Sequence, residues 1–404
     1  MSKRFWLSVV LVLMCTVASG AGTEPAGKPA EVARPNAGDS AGAAHFAWYL
    51  FVQATTPLNG SLTFESWMEQ CQLNPLMIGC PPPSATANKG RVPHGSALAK
   101  SLRRSVTGVA GESQGGIECN AMQTAPLNGY APPKNVTATA QFCEEVFVNA
   151  SESDFVEKNG LKTLTGQQTY AKANGGTVTF PWTAVEIKAD WVPTTSFANP
   201  TFQCPDPTNT LYTETINGTC YALVGLHISS KVLPDWLWAT FEPASAVTNP
   251  NRCDPNLYDT CFDPWGTTSA TPYGKGQTVP QSAALKQLMA AEGLNKAFNN
   301  YYLTGVQTQF VNSKGATPLG SSFVEFNAGV NPGQASCITC HRYAYFDGQK
   351  PAAGAPENNF GGPIAGWSSV GNACSTNPSK NCTPVSPNSI SQDFSWMLGL
   401  MPYQ

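Results

Sequence analysis

The sequence predicts an α+β protein in which a β-rich, disulfide-stapled body, from about residue 44 to 270, precedes a helical segment from about 275 to 404. Strand-type alternation between residues 184 and 242, helix-type spacing between 280 and 303, and cysteines that occur as close neighbours predict this division. Only 12% of the residues are charged, whereas glycine contributes 36 and proline 33 of 404 residues. We therefore expect long loops between short elements.

The N-terminus has the features of a secretory signal peptide at residues 1–20. Lys3 and Arg4 precede a mostly apolar run from Phe5 to Val17, and small residues follow it. The run is too short to span a bilayer and no later run is longer, so we expect no transmembrane segment after signal removal. Residues 21–43 lack periodicity, which predicts a flexible leader.

The cysteines and the net charge narrow the class of protein further. Loss of Cys15 with the signal peptide leaves 12 of the 13 cysteines, and a net charge of −3 becomes −5 without Lys3 and Arg4. This charge argues against binding to nucleic acid or to an anionic membrane surface. Ten cysteines form sequential pairs, and local disulfides between them, as in exported proteins, are the simplest of the connectivities that the sequence leaves open: Cys71/Cys80, Cys119/Cys143, Cys204/Cys220, Cys253/Cys261 and Cys374/Cys382.

Alternating side chains predict three strands, from about Ala184 to Trp191, from Tyr221 to Ser229 and from Trp236 to Glu242. If these strands pair, one face of the sheet carries most of the chemically active groups: Glu186, Lys188, His227, Trp236, Trp238 and Glu242. A buried network of ion pairs is one interpretation of this face. The other is a pocket that faces a substrate or cofactor, with Glu186, Lys188 and His227 as candidate catalytic groups.

Residues 280–303 show the spacing of an amphipathic helix. Pro280 suits the first turn, and an apolar stripe at i, i+3, i+4 and i+7 runs along the segment: Leu285, Leu288, Met289, Leu294, Ala297, Phe298 and Tyr301. We expect this helix to pack against the sheet or against the segment that follows it.

Cys337-Ile338-Thr339-Cys340-His341 is the attachment signature for a c-type haem. Thiols three residues apart share one face of a helical turn, so both can form thioethers with one porphyrin edge. The adjacent His341 can then ligate the iron. The alternatives are half of a zinc site, a thioredoxin-like redox pair, or a disulfide beside an unrelated histidine. The chain has no second Cys-x-x-Cys for zinc, and the pair lies late in the sequence for a redox motif.

At this motif the chain resembles the c-type cytochromes. More widely, the segments EIKADW, GLHISSKVLPDWLWATFE, GVQTQF and CITCH, in this order, resemble a family of exported bacterial cytochrome c-like proteins. The resemblance implies that the β region and the haem c segment belong together. It implies no particular substrate.

The second axial position of the iron decides what such a haem would do. Met397 and Met401, 56 and 60 positions after His341, are distal candidates, as is His227, and the position can also be open. The leading hypothesis is a periplasmic or secreted monohaem cytochrome that transfers electrons to or from an unidentified redox partner protein. A haem-dependent oxidoreductase, peroxidase-like or small-ligand-binding, with its pocket in the β domain is the second, and a disulfide-rich binding or structural module without haem is the third.

Overall fold

The computed structural model describes residues 32–73, 118–127, 129–216, 218–245, 247–254, 261–277, 279–312, 315–316, 318–330, 332, 335–342, 344–346 and 390–398. Its central element is an eight-stranded antiparallel sheet within these residues. The predicted signal peptide at 1–20, Cys80, Cys374, Cys382 and Met401 lie outside the described residues.

The strands are mostly short, and the three predicted from alternation are among the longest. Their bounds are β1 Pro57–Leu58, β2 Ser61–Leu62, β3 Met68–Glu69, β4 Glu118–Ala121, β5 Gln141–Val148, β6 Val185–Pro193, β7 Thr213–Ile216, β8 Thr219–Ser230, β9 Leu237–Pro243, β10 Tyr301–Gln307, β11 Val311–Asn312, β12 Gly315–Ala316, β13 Tyr345–Phe346 and β14 Ile390–Ser391. The large sheet has the order β10-β9-β8-β6-β5-β3, with β4 paired to β5 and β7 to β8. β6, β8 and β9 confirm the predicted strands.

The helices are α1 Ser40–Thr55, α2 Gln70–Leu73, α3 Ala150–Lys158, α4 Leu164–Ala173, α5 Ala283–Ala291, α6 Val324–Asn327 and α7 Cys337–His341. Short 3₁₀ helices occupy Thr63–Ser66, Thr194–Ser196, Lys296–Asn300 and Trp396–Leu398. The described helices of the C-terminal region are thus shorter than the sequence predicts. No helix in the described ranges combines the length and hydropathy needed to cross a bilayer.

One face of the large sheet packs against α1. The Asp39 side chain caps this helix by accepting a hydrogen bond from the Gly42 amide, so α1 begins inside the segment predicted to be a leader. The aromatic rings of Trp48 and Phe51 contact Phe241 of β9, with ring centroids 4.7 and 4.5 Å away. Because side chains alternate along a strand, the polar residues that precede and follow Phe241 lie on the opposite face.

The predicted helix over 280–303 is wrong beyond its first half. α5 ends at Ala291, and Gly293 follows with a φ of +63°, the left-handed conformation that ends many helices. The remaining apolar stripe divides between a 3₁₀ helix and β10, whose first residue is Tyr301. β10 then pairs with β9, so the predicted helical segment contributes an edge strand to the sheet of the body.

Three of the predicted disulfides lie within the described residues, and all three are formed: Cys119–Cys143, Cys204–Cys220 and Cys253–Cys261. The first links neighbouring positions on β4 and β5. The expected combination of helices with a β-rich, disulfide-stapled body is therefore confirmed.

Candidate functional site

The polar face of the sheet is built from cross-strand rows. Lys188 on β6 lies opposite His227 on β8, which lies opposite Thr240 on β9. In the next row, Ser229 lies between Glu186 and Trp238. Opposite residues in an antiparallel pair lie on the same face, so the predicted gathering of these groups is observed. Trp236 precedes β9, with a φ of +63°, yet its ring centroid is 6.1 Å from that of Trp238.

Glu242 is held in the core by hydrogen bonds from neighbouring elements. It is completely buried, and its carboxylate accepts hydrogen bonds from the Tyr302 hydroxyl (3.0 Å), the Asn249 amide (2.6 Å) and the Ser322 backbone amide (2.7 Å). These donors come from β10 and from two loops. Glu242 thus joins β9 to the segment that leads to α6 and α7 through hydrogen bonds from neutral donors and not through an ion pair.

His227 is engaged through both ring nitrogens. Its Nε2 lies 2.7 Å from Oδ2 of Asp190, and its Nδ1 lies 3.1 Å from Oγ1 of Thr240. Gly225 makes room for this pair, because a Cβ there would lie 2.2 Å from the Asp190 carboxylate. Burial lowers the pKa of His227, but the Asp190 carboxylate outweighs it and raises that pKa above its ordinary value. Iron ligation by His227 would break one of these hydrogen bonds.

The Asp190→Asn substitution tests the electrostatic origin of this shift. Without the carboxylate, burial dominates, so we expect the pKa of His227 to fall below the ordinary value of about 6.5. An NMR titration of the histidine ring protons measures the change. A Glu157→Gln variant, altered in an exposed ion pair, is the control. An unchanged His227 titration in Asp190→Asn would contradict the assignment.

Lys188 is held as a cation. Its Nζ lies 2.8 Å from Oε1 of Glu144 on β5, at a partly exposed position. Burial lowers the pKa of Lys188, but Glu144 and Asp190 together raise it above its ordinary range. A lysine that keeps its proton cannot act as a base, so Lys188 is a poor candidate for proton abstraction.

A side chain from the sheet holds the first turn of α7. Gln307 on β10 donates through Nε2 to Oγ of Ser336 (2.9 Å) and accepts through Oε1 from the Ile338 amide (2.9 Å). Ser336 is the N-cap residue, which accepts a hydrogen bond from the Thr339 amide. The short helix that carries the Cys-x-x-Cys-His motif is therefore fixed to the polar face of the sheet.

Cys337 and Cys340 are free and half-buried. Burial raises the pKa of Cys337, and it raises that of Cys340 to about 11, with Glu325 acting in the same direction on both. Thiolate chemistry requires a lowered pKa, so these neutral thiols do not suit a thioredoxin-like redox pair. Among the described residues no group of three or more His, Cys, Asp or Glu side chains is arranged to hold a metal ion, so these residues supply no further ligands for the zinc alternative.

His341 has the geometry of an iron ligand. Its Nδ1 lies 2.9 Å from the carbonyl oxygen of Phe394. A carbonyl can only accept, so Nδ1 carries the proton and the lone pair is on Nε2. Burial lowers the pKa of His341 to about 4, which keeps the imidazole neutral as metal ligation requires. Trp238 packs against the ring, with centroids 4.4 Å apart. These residues fit a covalent haem with His341 as proximal ligand.

Met397 belongs to the core beside this histidine. It is 2% exposed and packs in a cluster that includes Ile338, Trp238 and Phe394. The Phe394 carbonyl of the same segment holds Nδ1 of His341, whereas Nε2 is the nitrogen that would hold a haem iron. This placement favours core packing for Met397 over iron ligation.

Glu186 of β6 lies beside Glu152, in the first turn of α3. Sequence reasoning missed Glu152, because a carboxylate in the first turn of a helix is ordinary N-terminal composition. Burial raises the pKa of Glu186 to about 7, with Asp393 acting in the same direction, and raises that of Glu152 well above its ordinary value. At neutral pH this pair retains a proton.

The stability of the fold should therefore depend on pH near neutrality. Between the unfolded value of about 4.5 and about 7, the folded chain holds a proton at Glu186 that the unfolded chain releases. Through this proton the free energy of unfolding should fall by about 3 kcal/mol as pH rises across this window, and the raised pKa of Glu152 should add to the fall. Urea unfolding at a series of pH values measures it, and Glu186→Gln should flatten the curve. If the free energy of unfolding of Glu186→Gln depended on pH as steeply as that of the wild type, the raised pKa of Glu186 would be refuted.

Comparison of the chain with protein-family models, with curated proteins and with solved structures found no match. We therefore infer the function from the geometry of α7, of the polar face of the sheet and of the segment from Gln392 to Leu398.

Proposed function

We propose that the protein is an exported monohaem c-type cytochrome that transfers electrons. The observation that carries the proposal is the state of His341, a neutral imidazole with Nδ1 held by the Phe394 carbonyl and Nε2 left for iron. His341 lies on the same short helix as two free cysteines, Cys337 and Cys340. In this proposal the thiols attach the haem and His341 is the proximal ligand.

The residues around the motif support a site that holds its imidazole in a fixed position. Trp238 packs on the His341 ring and Gln307 holds the helix start, so the imidazole needs little rearrangement when the oxidation state changes. The bound group would supply the one-electron redox couple. Local disulfides accord with an oxidising compartment, which supports export to the periplasm or beyond.

A potentiometric titration of the exported, haem-loaded protein tests electron transfer. We expect a single reversible one-electron transition, followed through the visible absorption bands, and reduction by a small cytochrome or a comparable one-electron donor protein. A haem-loaded protein that cannot be cycled reversibly, or that exchanges no electrons with such donors, would contradict the proposal.

A haem-dependent oxidoreductase is the second candidate, favoured by the His227–Asp190 pair on the same sheet face. Glu325 influences both His227 and the two motif cysteines electrostatically, so the pair lies in the same charged neighbourhood as the motif. There His227 would be the distal acid/base, in preference to Lys188, which is held as a cation, or to Glu186, which faces Glu152. High-spin ferric iron and peroxide turnover that is lost in His227→Gln would support this candidate, whereas low-spin iron without turnover would exclude it.

A further inference from the structure

Two carboxyl groups that the haem-binding residues do not use face each other at one end of the sheet. Glu152 comes from α3 and Glu186 from β6, and they are 0% and 6% exposed. Within the described residues, no donor reaches either oxygen of Glu152 or Oε1 of Glu186. Two ionised carboxylates in contact inside a protein are unfavourable, so the pair is expected to share one proton.

Among the residues that the structure describes, no cation pairs with Glu152 or Glu186. Asp393 approaches from the C-terminal segment and adds a like charge. Lys231, after β8, is committed to Asp393 (Nζ to Oδ1, 2.6 Å) and to the carbonyl of Pro234 (2.7 Å). Tyr170 of α4 also lies in the field of Asp393. A proton is therefore the positive charge that can neutralise the Glu152–Glu186 pair.

The pair is connected to His341 through the polar face of the sheet. Glu186 lies in one cross-strand row with Ser229 and Trp238, and the Trp238 ring packs on the His341 ring, with centroids 4.4 Å apart. Asp393, whose charge acts on both carboxyl groups, directly precedes Phe394, whose carbonyl accepts the hydrogen bond from Nδ1 of His341. A change of charge at the His341 ring therefore acts on the pair through buried protein, where charges are weakly screened.

We propose that the Glu152–Glu186 pair is a proton-binding site coupled to the oxidation state of the haem. When one electron enters from a reducing partner protein, the pair binds one proton from solvent, and it returns this proton when the electron leaves. The added charges cancel, so the buried region gains no net charge. This inference rests on the proposed function and adds proton uptake to it.

The test is the midpoint potential of the full-length, haem-loaded protein measured over roughly pH 5 to 9. One proton per electron gives a slope of about 59 mV per pH unit, because each unit is a tenfold change in proton activity. We expect this slope near neutrality in the wild type and in Glu157→Gln, which removes an exposed carboxylate from α3. In Glu186→Gln the potential should be independent of pH.

A wild-type potential independent of pH, or a slope retained in Glu186→Gln, would overturn the proposal. If that variant does not fold, Glu152→Gln replaces it, and infrared difference spectra of the wild type provide a second measurement. Reduction should produce the carbonyl band of a protonated carboxylic acid, and absence of this band would also overturn the proposal. Absence of covalent haem, seen in a pyridine haemochrome spectrum, would instead refute the proposed function itself.

Discussion

Replacement of His341 by alanine is expected to leave the haem attached to Cys337 and Cys340 while removing its proximal ligand. Thioether bonds do not depend on the iron, whereas the axial bond depends on Nε2 of His341, which the Phe394 carbonyl orients through Nδ1. The substitution leaves a buried space beside Trp238 that a small aromatic base can enter. The ferric spectrum should therefore change completely, and added imidazole should restore the wild-type bands.

His227→Gln is the matched control for this prediction. Both nitrogens of His227 are hydrogen-bonded to Asp190 and Thr240, so the substitution should leave the axial ligation unchanged. The assignment would be contradicted by wild-type spectra in His341→Ala without imidazole. It would be contradicted equally if His227→Gln lost a histidine ligand.

Trp238→Ala is expected to lower the free energy of unfolding by about 3–5 kcal/mol, the range for removing a buried aromatic side chain. Trp238 is 4% exposed and contacts the rings of Trp236, His341 and Phe394. It therefore joins the sheet to both C-terminal segments of the site, and its loss opens a cavity between them. Urea unfolding followed by far-UV circular dichroism measures the effect.

Trp182→Ala tests whether the loss depends on position or on tryptophan removal in general. Trp182 is 50% exposed, with the Arg34 and Lys231 side chains over its ring. Removing such a surface contact should cost about 1 kcal/mol or less. Equal losses of the free energy of unfolding in the two variants would contradict the buried, joining position of Trp238.

The predictions that the structure confirms rest on short-range patterns. Alternation over a few residues places Lys188, His227 and Glu242 on one face of a sheet, since a strand permits only two directions for its side chains. Cysteines close in sequence predict the disulfides between Cys119 and Cys143, Cys204 and Cys220, and Cys253 and Cys261. In both cases the local chain geometry limits the alternatives.

The features that sequence reasoning missed depend on contacts between distant residues. The carbonyl that orients His341 belongs to Phe394, 53 positions away. Every residue has a backbone carbonyl, so the residue type does not predict this contact. The neighbour of Glu186 is Glu152, on a helix between two strands, and nothing local distinguishes this carboxylate from an exposed one. Tyr301 continues an apolar helical stripe, yet tertiary pairing with β9 places it in a strand.

A pyridine haemochrome spectrum of the protein, exported from a host that matures c-type haem, tests the central claim most directly. We expect a c-type band that survives denaturation and acid extraction in the wild type. The band should be lost when Cys337 and Cys340 are both replaced by alanine. No covalent haem in the wild type would contradict this claim and would leave Cys337 and Cys340 as a half-buried thiol pair with another role.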